Sequence, residues 1–138
     1  MTTTTSISGS CLCGTIKYSL KGTDKGPVLC HCDNCQKTTG SSFANNHRFT
    51  RAEITLTEGK DAIKSYKDTN TISGNPLIRW FCSNCGSPIY LENGKFKGLV
   101  IVYSGGIDGD LRHKTPAGEL FGHNKRNWFS GVEGAAKL

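Results

Sequence analysis

The sequence has no apolar run approaching the roughly 18 residues of a membrane-crossing helix, so a helical span is excluded and no membrane partner is expected. It also has no dense run of lysine and arginine. Its 17 basic residues are scattered, so the formal charge of +6 describes a basic surface and gives little support to a nucleic-acid partner. No charged and then apolar leader opens the chain, because Met1 to Ser6 is polar. Together with an odd count of seven cysteines, this speaks against a secreted disulfide framework and predicts a cytoplasmic protein with reduced thiols. Hydrophobic residues make up only 36% and glycine occurs 17 times, so the core should be modest and metal staples useful to it. The length of 138 residues predicts one domain over residues 8–130, between a disordered segment 1–7 and a loose tail 131–138.

The cysteines that are present fall into a pattern. Cys30-His31-Cys32-Asp33-Asn34-Cys35 packs three soft ligands into six residues. Cys30 and Cys32 have strand-like spacing, so their thiols can share one face while His31 points to the other. Cys32 and Cys35 form a C-x-x-C turn. Three thiolates can then converge on one ion at Zn–S distances of about 2.3 Å, and a tetrahedral ion with three protein ligands keeps one corner open. Two further pairs stand at Cys11-Leu12-Cys13-Gly14 and Cys82-Ser83-Asn84-Cys85-Gly86; in each, glycine lets backbone N–H groups approach sulfur.

Between these motifs the chain reads as short strands. Ile16, Tyr18 and Leu20 alternate with Lys17 and Ser19, and residues 21–27 have loop chemistry. After Cys35 a helical turn or two is expected, capped by Asp33 or Asn34 and closed by Gly40. Phe43, His47 and Phe49 keep a period of two. Leu77 to Cys82 reads as a strand delivering the last thiol pair, and Gly98 to Tyr103 as a buried one. Phe43, Trp80, Phe121 and Trp128 are expected in the core, with the lining of a pocket as the alternative.

Seven thiols divide naturally into a closed set of four, Cys11, Cys13, Cys82 and Cys85, and an open set of three, Cys30, Cys32 and Cys35. Spacing alone also allows the three to recruit one member of another pair. The three motifs in this order, with Leu120-Phe121 and Trp128 near the end, resemble the glutathione-dependent formaldehyde-activating enzyme family, also called the GFA or CENP-V-type family, from about Ser8 to Trp128. The resemblance implies an all-β, Mss4-like fold: a zinc-stapled antiparallel barrel or sandwich with short helical turns. It implies the four-plus-three division, with two Zn²⁺ per chain, one structural and one catalytic. It also implies a carbon–sulfur lyase activity, the condensation of formaldehyde with glutathione.

Three thiolates make Zn²⁺ a poor acid toward water and suit a fourth, substrate thiol that would attack a small aldehyde; Cys30, Cys32 and Cys35 are then the catalytic residues. The alternatives are a Lewis-acid lyase or isomerase step on another electrophilic metabolite, or a non-catalytic zinc adaptor. His31, Lys37, His47, Arg48 and Arg79 are the basic residues that could compensate the charge formed. Seven thiolates on two Zn²⁺ would lower the net charge to about +3, which further weakens a nucleic-acid reading.

Overall fold

The computed structural model of the chain describes residues 4–138. Two long strands carry the architecture, β2 (Lys17–Cys30) and β3 (Ala44–Glu58), paired antiparallel from Lys17↔Glu58 to Cys30↔Ala44. Tyr18 and Leu20 are buried and Lys17, Ser19 and Lys21 exposed, as alternation requires of a half-covered strand. Residues 21–27, expected as a loop, instead continue the strand. Register shifts between Lys21/Thr23 and Asp24/Pro27 absorb Gly22 and then Lys25 and Gly26 as bulges, which bend the ribbon without breaking it.

Around this pair lie β1 (Thr4–Ser10), β4 (Ile63–Asp68), β5 (Leu77–Cys82), β6 (Pro88–Asn93), β7 (Val100–Tyr103), β8 (Gly118–Leu120) and β9 (Ala136–Lys137). The order is β4-β5-β6-β7-β3-β2-β8-β9, with β1 also on β2. The β2–β8 and β8–β9 pairs are parallel and the rest antiparallel. The protein is therefore all-β as expected, but the sheet is open and mixed rather than a closed antiparallel barrel. The parallel pairs arise because long connections, with short 3-10 turns at Ser104–Gly106, Asp110–His113 and Gly122–Asn124, return the chain in the same direction, β8 beside β2 and β9 beside β8.

The expected N-terminal disorder lies outside the described residues for 1–3, while Thr4–Ser10 is strand. Ala136–Lys137 in the expected loose tail pairs with β8, and the Leu138 N–H donates to the Glu119 carbonyl at 2.9 Å. Trp128, expected in the core, is 71% exposed.

The sheet buries apolar side chains on both faces. On β6 and β7, Tyr90 opposes Val102 and Leu91 opposes Ile101. Tyr90 and Val102 join a cluster with Ile16, Tyr18, Leu20 and Phe49, which also holds Cys11 and Cys82. Leu91 and Ile101 join a second, smaller cluster with Tyr103, Leu77, Leu120 and Phe121, which holds Cys30, Cys32 and Cys35. The period of two thus assigns each cysteine group its own core.

Candidate metal centres and the adjoining cavity

The group of four is built from two turns of one design. Cys11 and Cys13 lie in the turn between β1 and β2; Cys82 ends β5 and Cys85 lies in the turn to β6. In each turn the glycine has a left-handed φ of 78°, and its N–H donates to the carbonyl of the first cysteine, Gly14 to Cys11 at 3.1 Å and Gly86 to Cys82 at 2.7 Å. The four sulfurs lie within 4.8 Å of one another. Cys11 and Cys13 sulfurs are 3.6 Å apart, and Cys13 and Cys82 sulfurs 3.9 Å. These match the edge of about 3.8 Å of a tetrahedron with Zn–S bonds of about 2.3 Å. Donors already converge on the sulfurs: the Ile16 N–H to Cys11 at 3.3 Å, the Cys85 N–H to Cys82 at 3.4 Å, and the Asn84 amide to Cys13 at 3.2 Å. The Thr15 hydroxyl and the Asn84 amide bring the Cys13 thiol down to about 7, and Ser87 brings Cys85 down to about 5. Burial pushes Cys82 up to about 11. A four-sulfur set with half its members inclined to ionise fits a soft tetrahedral cation.

The group of three sits where β2 ends and helix α1 (Asp33–Thr39) begins. Cys32 is the N-cap, accepting the Cys35 N–H at 3.3 Å, in place of the expected Asp33 or Asn34; a side-chain sulfur does what a cap oxygen usually does. Gly40 closes the helix in the left-handed region, as expected. The Cys30 and Cys32 sulfurs are 3.4 Å apart, and all three lie within 4.8 Å of one another. The crowding splits their acidities: contact with its two neighbours holds Cys32 low, while Cys32 and Cys30 push Cys30 and Cys35, respectively, up. Three thiolates at these separations repel one another unless a cation lies among them. Each cysteine group could hold a metal ion, and the fold brings the cysteines together as three plus four.

The two groups differ in what surrounds them. Cys30, Cys32 and Cys35 line a cavity of about 390 Å³. Its wall is largely the second apolar cluster, Leu77, Leu91, Ile101, Leu120 and Phe121, with Arg79, Asn46 and Asn34 among the polar members. Phe121 lines it with a backbone φ of 56°, a conformation that costs a non-glycine residue free energy and recurs at functional sites.

Among the five basic candidates, Arg79 alone lines this cavity. His31 is fully buried on the far side of the Cys30–Cys32 ridge: its Nε2 is 2.8 Å from Glu119 Oε1, and its ring packs against the stacked Phe43–Phe129 pair, with centroids 5.7 and 5.9 Å away. Lys37 lines an outer surface cleft with Asp33, Gln36 and Arg126. His47 pairs with Asp24 at 2.7 Å and stacks on Phe49. Arg48 donates to the carbonyls of Gly26 and Lys25.

Asn46 escaped the sequence reading, which followed Phe43, His47 and Phe49; the cavity side of β3 has the opposite parity, since Asn46 opposes Tyr103 while His47 opposes Val102. Asn46 is 5% exposed and its Oδ1 has no partner. Glu119 was also missed. It is a buried carboxylate held by His31, the Val132 N–H at 3.2 Å and the Lys137 ammonium, and no local pattern marks it.

Comparison with known proteins places the chain in context. The family model described as "Glutathione-dependent formaldehyde-activating enzyme" matches residues 6–124. A Halomonas elongata protein, provisionally described by the same activity, is 26% identical over 123 residues, which covers 88% of this chain and 78% of that protein. A crystal structure of a Rhodobacter sphaeroides protein superposes with a TM-score of 0.56 at 17% identity, covering 75% of this chain and 89% of that one; it shares the fold.

Proposed function

The chain belongs to the glutathione-dependent formaldehyde-activating enzyme family, and from that premise we propose that it is a carbon–sulfur lyase that adds a glutathione-like thiol to a small aldehyde such as formaldehyde. The observation that carries this reading is a set of three sulfurs, without a fourth, on the wall of a cavity. Zinc is the ion that both sulfur sets suit, and at the three-sulfur set it would lower the pKa of an incoming thiol and hold it beside the carbonyl carbon. Cys11, Cys13, Cys82 and Cys85 would hold the structural ion.

The chain's own residues supply the rest. Cys30, Cys32 and Cys35 leave room for one soft ligand on the cavity side. Leu77, Leu91, Ile101, Leu120 and Phe121 exclude water from the reacting carbon, which favours the adduct over the hydrated aldehyde. In the addition the S–C bond forms as the carbonyl π bond breaks, and the thiol proton ends on the carbonyl oxygen. Asn46, buried in the wall with an unpartnered Oδ1, can accept a hydrogen bond from the hydroxyl that this oxygen becomes. The reverse sequence expels aldehyde from the hemithioacetal.

The test replaces the native metal by Co²⁺ and follows the thiolate-to-metal bands while glutathione and then formaldehyde are added. Two metals per chain with one set of bands shifting, and faster hemithioacetal formation by ¹³C exchange spectroscopy, are the expected results. Bands indifferent to every thiol offered would leave two closed sites and end this reading.

A further inference from the structure

Arg79 is the one cationic side chain lining the cavity among the described residues, and it is only 7% exposed. A guanidinium removed from water keeps its charge, so each N–H it presents calls for an acceptor. Its Nε donates to Asp68 Oδ2 at 3.0 Å and its Nη1 to Tyr103 Oη at 3.2 Å. Nη2 has no acceptor among the described residues. Asp68 is meanwhile engaged from other directions, taking the Asn34 amide on Oδ2 at 2.9 Å and the Asn70 N–H on Oδ1 at 3.2 Å. The ion pair therefore fixes the guanidinium through one edge and leaves donor capacity on a residue whose neighbours are Leu77 on its own strand face and Leu91 across the ladder.

We propose that the cavity receives a small molecule bearing a carboxylate, with Arg79 as the anchor for that group and Leu77, Leu91 and Ile101 against its carbon skeleton. This rests on the reading of Cys30, Cys32 and Cys35 as a thiol-accepting site. The guanidinium fork matches a carboxylate in shape and charge, and a neutral hydroxyl would leave most of that capacity unused. Arg79 lines the same cavity as Cys30, Cys32 and Cys35, so anchor and reacting sulfur share one small space. That space suits a short carbon chain between carboxylate and reacting atom. The carboxylate could be carried by the thiol or by the carbonyl partner.

Two isosteric pairs separate these sources. Co²⁺-loaded protein is titrated with 3-mercaptopropionate and with 3-mercaptopropionamide, reading the thiolate-to-metal bands; glyoxylate and glyoxylamide are compared on the zinc-loaded protein by calorimetry. A metal held by three thiolates is net negative and by itself disfavours the anion of each pair. Preference for a carboxylate therefore reports the cation in the wall. The expected result is about tenfold tighter binding of the carboxylate member of one pair, shrinking toward parity in Arg79→Lys, which keeps the charge but not the fork. The comparison within the unaltered protein stands even if that variant folds poorly. Bands that shift equally for both thiols, with no glyoxylate preference, overturn the carboxylate anchor and leave the thiol-accepting site intact. Bands that shift for neither thiol sink the thiol-accepting site, and the glyoxylate pair alone then decides the anchor, absence of preference there overturning it.

Discussion

The two cysteine groups use the same residue and nearly the same sulfur spacing, yet they stand in opposite surroundings. The four-sulfur group lies at turns, with Cys13 exposed and Leu12 beside it 87% exposed, and hydrogen bonds from Ile16, Cys85 and Asn84 fill the directions around its sulfurs. The three-sulfur group lies against a cavity on one side and a buried His31–Glu119 pair on the other. What separates the two groups is the fourth direction. In one group another thiol from a distant strand occupies it, and in the other an apolar space does.

The sharpest way to break this comparison is to remove one sulfur from each group. Cys82 is fully buried and joins the late hairpin to the N-terminal turn, so Cys82→Ser should cost more than about 4 kcal/mol and leave the chain largely unfolded, with metal content reduced. Calorimetric melting beside metal analysis checks this, and a cooperative melt near that of the parent would show that the group is dispensable. Cys32→Ser should do the reverse: a modest loss of stability, because the side chain is only half-buried, but a fall of about a hundredfold or more in thiol binding and turnover. Retained thiol-dependent band shifts in that variant would move the reactive site elsewhere.

The sequence made these two groups legible because sulfur spacing is local. C-x-C, C-x-C-x-x-C and C-x-x-C each carry their geometry within a few residues, and so did the glycines after Cys13 and Cys85. The wall of the cavity was not legible for the converse reason. Arg79 was named only as one of five basic candidates, and it meets Asn46, Leu91 and Ile101 through register, Arg79 opposite Leu91, Leu91 opposite Ile101 and Asn46 opposite Tyr103; no single strand reveals its partners' parity. The strand through residues 21–27 was hidden by bulges, where the chemistry of glycine and the adjoining proline is that of a loop until the neighbouring strand is present.

A smaller effect sharpens the comparison from behind the three-sulfur group. Glu119 is 1% exposed, and Lys137 and the Val132 N–H share its Oε2 while His31, between Cys30 and Cys32 in the chain, takes Oε1. The residues that complete this network from the chain's end lie beyond position 124, where the family match stops. Lys137→Met leaves the buried carboxylate short of one partner and should cost about 1–2 kcal/mol. Because the strain falls on the Cys30–Cys32 ridge, metal release to a chelator should quicken in one kinetic phase and be unchanged in the other. Equal acceleration of both phases would mean that the end of the chain supports the fold generally and not this group.

The smallest effect comes from a pair that belongs to neither group, and it serves as a baseline for both. His47 is fully buried with Nδ1 unpartnered, and burial holds its pKa below the ordinary histidine range despite Asp24 at 2.7 Å. Burial alone would raise Asp24, but the Gly26 N–H, His47 and Lys114 outweigh it and hold that carboxyl below its usual range. A histidine lowered in the folded state binds its proton more readily when unfolded, so its contribution is present above the ordinary value near 6.5 and is lost as pH falls through the folded value. The depressed carboxyl acts in the same direction at lower pH: its contribution is present above the ordinary carboxylate value and lost as pH falls through the folded one. Metal-saturated protein should therefore lose a few degrees of Tm between neutral and mildly acidic pH from His47, before thiolate protonation releases metal. His47→Gln should flatten that decline without altering the thiol-dependent bands. A decline that survives the substitution unchanged would assign acid sensitivity to the sulfur groups alone, and the contrast between them would then be visible in the pH profile itself.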